Sequence, residues 1–221
     1  MNNYYNKIKD KFLVQDQSLF RFGSIGDGGY HLKPETITAS HLLFSGGISS
    51  NLEFEYDIFR FNKAIEIVMV DPTVSGYKLL IKGLARLFFK KPEKIRYLFN
   101  ALIFNYLVKQ KRCSHLKLWL KKPERIFELI EQNTNSDSNI LLKLDIEGGE
   151  YDFLDEIAAN LYRFSGLVFE FHDLHKHHQK VYDFIEACTA QFNLVFIDEN
   201  PSGGYNGKDQ PKCIEVSLER K

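Results

Sequence analysis

The stretch Leu141–Ile157, LLKLDIEGGEYDFLDEI, places an apolar run directly before a group of carboxylates and a pair of glycines. Residues Ile140–Leu144 have the composition of a buried strand, and Tyr151–Leu161 has the spacing of a helix. Between them, Gly148 and Gly149 permit a sharp turn. The stretch therefore predicts a strand, a tight turn and a helix, with acidic side chains where the strand ends.

Similar runs on both sides of this stretch predict the rest of the sheet. The other predicted strands are His41–Ser45, Ile65–Val70, Gly166–Phe171, Leu194–Ile197 and Cys213–Leu218. Helical spacing appears in 51–61, from Pro123 to about residue 130, and in about 179–191. Strands and helices alternate, and the central strands are almost continuously apolar. This pattern indicates an α/β fold with a doubly wound, mostly parallel sheet, closed by an antiparallel C-terminal edge pair.

Length and composition favour one domain over residues 1–221, since 44% of the 221 residues are hydrophobic. The three cysteines, Cys113, Cys188 and Cys213, have no metal or redox spacing, which favours reduced thiols in a cytoplasmic protein. The opening MNNYYNKIKDKF lacks the apolar core of a secretory signal. No stretch approaches the ~20 apolar residues of a membrane span.

Charge is distributed unevenly along the chain. Residues 73–123 hold thirteen Lys or Arg and a single acid, Glu93, so this segment carries +12 and the remainder −12. Within it, apolar residues three and four apart predict a helix over Glu93–Lys109, and a second apolar group from Leu79 to Phe89 predicts a partner helix. The sequence thus predicts a basic helical insertion at about 77–120, with an anionic partner.

Ligands of such sheets bind beyond the carboxyl ends of the strands. If the chain stays extended after Leu144, Asp145 and Glu147 project to the same side, and we favour a role in a site for this pair. Glu150 needs no functional explanation, because acids early in a helix are stabilised by its dipole.

Two further strand ends carry candidate site residues. Asp71 could accept hydrogen bonds from a ribose diol, and its alternative role is a helix N-cap. Ser45, Gly46 and Gly47 end the first strand, where missing side chains would let a cofactor approach the backbone. The sequence after Gly46 does not spell G-x-G-x-x-G, so a dinucleotide fingerprint is not supported.

A histidine follows the strand at Gly166–Phe171. Alternation places Glu170 and His172 on one face, so they need partners or lie at the open end of the sheet. His172 is a candidate base or metal ligand. The following histidines are interpreted as a solvated loop or the start of a helix: His175, His177 and His178.

Taken together, these motifs resemble the FkbM-type methyltransferases, a subgroup of class I S-adenosylmethionine-dependent enzymes. The matching segments are FGSIGDGGYHL (22–32), LLFSGGISSNLEFEYDI (42–58), VDPTV (70–74), LLKLDIEGGEYDFL (141–154), SGLVFEFHDLH (165–175) and LVFIDENPSGGYNGKDQPKCIEVSL (194–218). The fourth resembles the family hallmark K-x-D-x-E-G-x-E-Y. Relatives often have His-Gly-Asn-Asn where this chain has Asp198–Pro201, and residues 77–120 have no clear counterpart.

The resemblance implies a class I methyltransferase (Rossmann-like) fold with S-adenosylmethionine bound at Ser45, Gly46 and Gly47. It also implies that Asp71 binds the ribose and that Asp145 lies beside the methionine part or the acceptor. For a hydroxyl acceptor a base must remove a proton, and His172 is the first candidate, followed by Glu147 or Asp145. Alternatively, a divalent cation could lower the pKa of the hydroxyl. The candidate ligands of that cation are Asp145, Glu147, His172 and Asp173.

Relatives often methylate sugars of surface glycans or small metabolites, which favours a sugar hydroxyl as acceptor and gives no expectation of nucleic acid binding. Two rival functions remain open at this point. One is a metal-dependent hydrolase that uses Asp145, Glu147 and His172. The other is a non-catalytic domain that binds a partner through the basic segment.

For the insertion, one hypothesis is that its apolar stripes pack as a lid or form a homodimer. The other is that it lies over the cofactor site and contacts an anionic acceptor or the inner face of a membrane.

Overall fold

The chain folds around a seven-stranded sheet in a computed structural model that describes residues 3–26, 28–87, 94–122, 125–207 and 210–221. The strands of this sheet are β3 (Leu42–Gly46), β4 (Glu66–Val70), β5 (Cys113–Leu116), β6 (Ile140–Leu144), β7 (Phe164–Phe171), β8 (Phe192–Glu199) and β9 (Ile214–Arg220). A separate antiparallel hairpin precedes them, formed by β1 (Phe20–Gly23) and β2 (Gly29–Leu32).

Helices connect the strands. They are α1 (Tyr4–Phe12), α2 (Pro34–Ala39), α3 (Glu53–Phe61), α4 (Gly76–Leu87), α5 (Lys94–Leu107), α6 (Arg125–Asn133), α7 (Leu154–Ala159) and α8 (Leu174–Cys188). Short 3₁₀ turns occur at Glu150–Asp152, Leu161–Arg163 and Pro201–Gly203.

The strand order is β5-β4-β3-β6-β7-β9-β8. All neighbours from β5 to β7 are parallel, whereas β9 is antiparallel to both β7 and β8. This confirms the predicted class I methyltransferase fold with its antiparallel C-terminal strands. The chain leaves β3 toward β4 on one side, and β6 later pairs with the other side of β3. The switch between these two directions opens a crevice at the carboxyl ends of β3 and β6.

Two apolar cores cover the two faces of the sheet. Alternate strand residues separate onto them: Leu42 and Phe44 face the core under α1, α6, α7 and α8, whereas Leu43 faces the core under α2 to α5. Since both faces are covered, the central strands are buried along their whole length, which explains their nearly continuous apolar sequence.

Several boundaries differ from the sequence-based predictions. Strand β5 lies inside the segment expected to be helical. It was not predicted because CSHL is a short, half-polar edge strand without an apolar run. The last helix begins at Leu174, before the expected Gln179, so the three histidines lie in its first turns. The predicted helix Tyr151–Leu161 is instead split into a 3₁₀ turn and the short α7. Pro123 lies outside the described residues.

The predicted extended path after β6 is wrong. Glu147 adopts a φ of 59° and Gly148 a φ of 99°, so the chain turns at Glu147 instead of continuing as a strand. Asp145 and Glu147 therefore do not share a strand face, and a tight turn directs each of them separately.

Candidate active site

A cavity of about 360 Å³ lies beyond the carboxyl ends of β3, β4 and β6. Its walls include 47–51, 71–73, 118–120, Lys143, 145–147, Glu170 and His172. One wall is formed by the loop after β3 together with the end of β4. The opposite wall carries the charged side chains of β6 and β7. The volume is within the range of small-molecule sites.

Asp71 joins the two loops of the first wall. Its carboxylate accepts a hydrogen bond from the backbone N–H of Ser49 (2.8 Å) and from the N–H and hydroxyl of Thr73 (2.6 Å each). A carboxylate offers about four acceptor positions, so roughly one remains for a ligand hydroxyl. Asp71 is thus placed to hold the loop Gly47–Asn51 and to contact a polyol that enters the cavity.

Gly47 is required by the protein backbone itself. Its φ is 80°, and a Cβ atom there would lie 1.6 Å from the carbonyl oxygen of Asp145. At Gly46 a Cβ atom would lie 2.8 Å from Leu120 and 2.9 Å from Leu144. The glycines therefore let the ends of β3 and β6 approach each other, and of these two only Gly47 lines the cavity.

Ser45 lies behind this wall. It is fully buried, and its hydroxyl donates a 2.6 Å hydrogen bond to Glu55 on α3. The structure thus corrects the expectation that Ser45 contacts the cofactor, since its side chain is used to fix Glu55. Gly46 likewise contributes packing and does not line the cavity.

Lys143 brings a buried cation into the opposite wall. Its Nζ donates to the carbonyl oxygen of Gly47 (2.8 Å) and lies 3.6 Å from Glu55 and 3.7 Å from Asp145. Burial opposes the charge of Lys143, but the surrounding carboxylates outweigh burial and raise its pKa. Lys143 is therefore a permanent cation that holds the loop after β3 against β6.

Asp145 has a second partner, which is neutral and comes from the β1–β2 hairpin. The hydroxyl of Tyr30, 1% exposed, donates a 3.1 Å hydrogen bond to its Oδ2. Burial raises the pKa of Asp145, although Lys143, His172 and the Tyr30 hydroxyl oppose the rise. Asp145 is thus a positioned carboxylate with a higher proton affinity than an ordinary aspartate.

Glu150 organises the turn between these walls. Its fully buried carboxylate accepts hydrogen bonds from the N–H groups of Ile146 (2.7 Å) and Gly148 (3.0 Å) and lies 3.2 Å from Nδ1 of His172. The backbone carbonyl of His172 in turn accepts a hydrogen bond from Tyr151. Glu150 therefore ties the turn at residues 145–149 to the end of β7. The helix dipole alone does not explain this role.

The other ring nitrogen of His172 faces three carboxylates. Nε2 lies 3.5 Å from Glu170, 3.6 Å from Glu147 and 3.9 Å from Asp145. Burial lowers the pKa of His172, but Glu150 and the other acids outweigh it and raise the pKa to about 9. His172 is consequently protonated near pH 7, which argues against its predicted role as the base. Glu147, whose side chain is 85% exposed, lies at the rim.

The protonation of His172 predicts a pH-dependent stability. The pKa of His172 in the folded state, about 9, exceeds the ordinary value of 6.5. The stabilisation of the fold by protonated His172 is therefore complete below pH 6.5 and is lost as the pH rises through 9. Urea unfolding of the wild type and His172→Gln should show a stability difference that shrinks by up to about 3 kcal/mol over this window. A difference independent of pH would contradict a cationic His172.

A metal site receives limited support from the donor set. Ligand atoms of Glu170, His172 and Cys213 lie within 4.8 Å of one another. However, the Cys213 thiol donates to Glu170, and burial and the nearby Glu170 raise the pKa of Cys213, so the thiolate needed by a metal is disfavoured. Asp173, a predicted ligand, instead pairs with Lys176 at 2.7 Å. The arrangement does not fit a resident cation well.

Several residues that shape the site were not predicted from the sequence as site residues: Tyr30, Glu55, Lys143 and Glu150. Lys143 interrupts an otherwise apolar strand, and Glu55 lies among apolar helix positions, so a buried charge pair could have been inferred from these two. No local pattern brings Tyr30 to Asp145, because that contact joins residues 115 positions apart.

Residues 109–192 match the family model described as methyltransferase FkbM domain. The match confirms the resemblance over a range that includes the LLKLDIEGGEYDFL and SGLVFEFHDLH segments. The segments before residue 109, and all of 194–218, lie outside the matched range. No curated protein sequence matches the chain.

Solved structures with a similar arrangement include several methyltransferases. A precorrin-6y C5,15-methyltransferase from Geobacter metallireducens is 10% identical, with a TM-score of 0.44, and the alignment covers 96% of this chain and 95% of that one. A fibrillarin/Nop5p complex gives 10% identity and a TM-score of 0.44, with 95% and 100% covered. A predicted O-methyltransferase from Agrobacterium tumefaciens gives 11% identity and a TM-score of 0.37, with 86% and 81% covered.

Proposed function

Since residues 109–192 match the methyltransferase FkbM domain, we propose that this chain is an S-adenosylmethionine-dependent methyltransferase that methylates a hydroxyl of a sugar or another small acceptor. The observation that carries the proposal is the cavity at the switch between β3 and β6. There a loop held by Asp71 faces a wall of buried charge that contains Asp145. The acceptor class comes from the family resemblance, and the acidic wall supports it because carboxylates can bind hydroxyls.

The residues of the first wall fit the methyl donor. Asp71 retains acceptor capacity toward a ribose hydroxyl, and the backbone of the loop Gly47–Asn51 lines the same space. The acidic side chains opposite favour a cationic ligand. When bound, S-adenosylmethionine supplies a methyl group on a positively charged sulfur, already activated for transfer.

Asp145 is the base in this proposal. It would accept the proton of the acceptor hydroxyl, and its raised pKa favours that step. Tyr30 and Lys143 hold the carboxylate in place. His172 stays cationic, is held by Glu150, and orients the acidic side chains around the acceptor. Alignment of the acceptor with the methyl group supplies the remainder of the acceleration.

The mouth of the cavity suits a sugar. Glu147 at the rim and the more deeply placed Glu170, which is 5% exposed, both line the cavity and can accept hydrogen bonds from hydroxyls of a ligand. Leu118, Trp119 and Leu120 add an apolar wall, and the Trp119 side chain is 63% exposed, so a ring can pack against it. Acidic groups beside an aromatic surface can therefore bind a sugar, since the carboxylates accept hydrogen bonds from its hydroxyls and the aromatic side chain packs against its ring.

The experiment is a transfer assay with labelled methyl donor. The chain is incubated with S-adenosylmethionine and a panel of methyl glycosides, free sugars and matched amino sugars, and products are identified by mass spectrometry. The proposal expects an O-methylated product together with S-adenosylhomocysteine. Methylation confined to amines would contradict the hydroxyl acceptor. Activity that needs metal, is abolished by a chelator and consumes no methyl donor would favour a hydrolase instead.

A further inference from the structure

Helices α4 and α5 form an antiparallel hairpin with a defined seam. A Cβ atom on Gly76 would lie 2.3 Å from Asn105, and one on Gly83 would lie 2.5 Å from Leu98. Early residues of α4 thus contact late residues of α5, and later residues contact early ones. The absence of side chains at Gly76 and Gly83 allows this close approach.

One face of this hairpin is apolar and exposed. Its members, here called the outer face, are Tyr77, Leu80, Ile81, Leu84, Phe99 and Leu102. Tyr77 and Leu84 follow the seam residues of α4 by one position, and Phe99 follows the seam residue Leu98 of α5 by one position. Because the two helices are antiparallel, the residue that follows a seam residue by one position lies on the same side of the hairpin in both helices. The two stripes therefore form one continuous surface.

The hairpin is anchored to the domain by its other sides. Asn100 is fully buried and accepts a 2.6 Å hydrogen bond from the backbone N–H of Leu52, and Arg96 pairs with Glu53 at 3.0 Å. Both contacts reach the start of α3, directly after the loop Gly47–Asn51. None of the described residues of α4 and α5 lines the cavity, whereas Leu118, Trp119 and Leu120, at the end of the predicted insertion, do line it.

Positive charge is concentrated in the same part of the chain as the outer face. Exposed lysines follow the helices and the loop beyond them: Lys78, Lys82, Lys109, Lys111, Lys117, Lys121 and Lys122. The sequence 73–123 contains Glu93 as its single acid and carries +12. A symmetric dimer through this face would bring two such segments together, and their repulsion disfavours a second copy as the occupant.

We propose that the outer face binds the surface of an anionic lipid bilayer. Leucine and isoleucine with flanking lysines are the pattern of helices that lie in the interface, and Tyr77 suits the headgroup region. Within the described residues, no helix is both long and apolar enough to cross a membrane. In this proposal the hairpin lies along the membrane surface, and the contact does not depend on the proposed reaction.

Vesicle co-sedimentation tests this proposal. The full chain should sediment with phosphatidylcholine vesicles that contain phosphatidylglycerol at low salt, and should be released by high salt or by omission of the anionic lipid. The double variant Leu80→Ser/Leu102→Ser should bind about tenfold or more weakly. Tyr162→Ser removes a 69% exposed aromatic outside the hairpin and serves as the matched control.

A second pair of variants isolates the charge. Lys82→Glu/Lys109→Glu should weaken binding, whereas Lys180→Glu on α8 should leave it unchanged. Circular dichroism and sedimentation equilibrium establish that each variant is folded and report its oligomeric state. Failure to bind anionic vesicles at low salt would overturn the proposal. So would a wild-type dimer that Leu80→Ser/Leu102→Ser converts to a monomer, because the face would then be a dimer interface.

Discussion

Replacement of Asp145 by Asn should reduce the rate of methyl transfer by about 10²–10⁴-fold, which is the usual contribution of a general base. Asn can still accept the hydrogen bond from Tyr30, but it cannot take up the proton of the acceptor hydroxyl. Single-turnover transfer with labelled methyl donor measures the effect directly. Affinity for the cofactor product should change much less, because Asp71 and the loop Gly47–Asn51 are untouched.

Glu147→Gln is the matched control for this variant. Glu147 lines the same cavity and lies 3.6 Å from Nε2 of His172, but its side chain is 85% exposed. We expect a loss of less than about tenfold, since an exposed carboxylate is not positioned for proton transfer. Asp145→Asn at nearly wild-type rate, together with an inactive Glu147→Gln, would reassign the base to Glu147.

Replacement of Lys143 by Met should destabilise the fold by roughly 3–5 kcal/mol, the cost of leaving buried charges uncompensated. The Lys143 side chain is 4% exposed and lies within 4 Å of Glu55 and Asp145, so the variant leaves acids without their shared cation. The tie to the carbonyl of Gly47 is lost as well. Urea unfolding measures the free energy of unfolding of the variant and the wild type.

Two comparisons make this result specific. Lys180→Met removes an exposed lysine from α8 and should change stability by less than about 0.5 kcal/mol. Adding Glu55→Gln to Lys143→Met removes one of the uncompensated acids and should restore part of the loss. A loss below about 1 kcal/mol for Lys143→Met would show that Glu55 and Asp145 do not depend on the lysine.

The sheet could be predicted from the sequence because its central strands carry an uninterrupted signal. Runs such as Ile140–Leu144 and Phe164–Phe171 are buried on both faces, and burial selects the same apolar residues that define the pattern. Strand β5 lacked that signal, because an edge strand is half exposed and tolerates Ser114 and His115. The strength of prediction thus follows the depth of burial.

The site could be predicted only at the level of which residues gather there. Asp71, Asp145 and His172 were found because strand ends meet at one edge of a parallel sheet. Their roles depend on distances that no pattern reveals. From the sequence alone, the helix dipole is a sufficient explanation for an acid at Glu150. The structure shows that Glu150 contacts His172, and that contact favours the protonated histidine.

The helical insertion shows the same limit in another form. The spacing of apolar residues predicts helices, but it does not distinguish a stripe that packs on the domain from one that faces solvent. Leu79 is 1% exposed whereas Leu80 and Leu102 are 43% and 69% exposed, and the seam through Gly76 and Gly83 decides between the two outcomes. Tertiary contacts therefore decide which stripe is buried and which faces solvent.

The most direct test of the account is a calorimetric titration of the wild type and Asp71→Ala with S-adenosylhomocysteine. We predict saturable binding to the wild type and at least about tenfold weaker binding to Asp71→Ala, equivalent to ~1.4 kcal/mol. Asp155→Ala, which removes an exposed acid of α7, should bind like the wild type. Absence of binding to the wild type, or unchanged affinity in a folded Asp71→Ala, would contradict a cofactor site at the ends of β3 and β4.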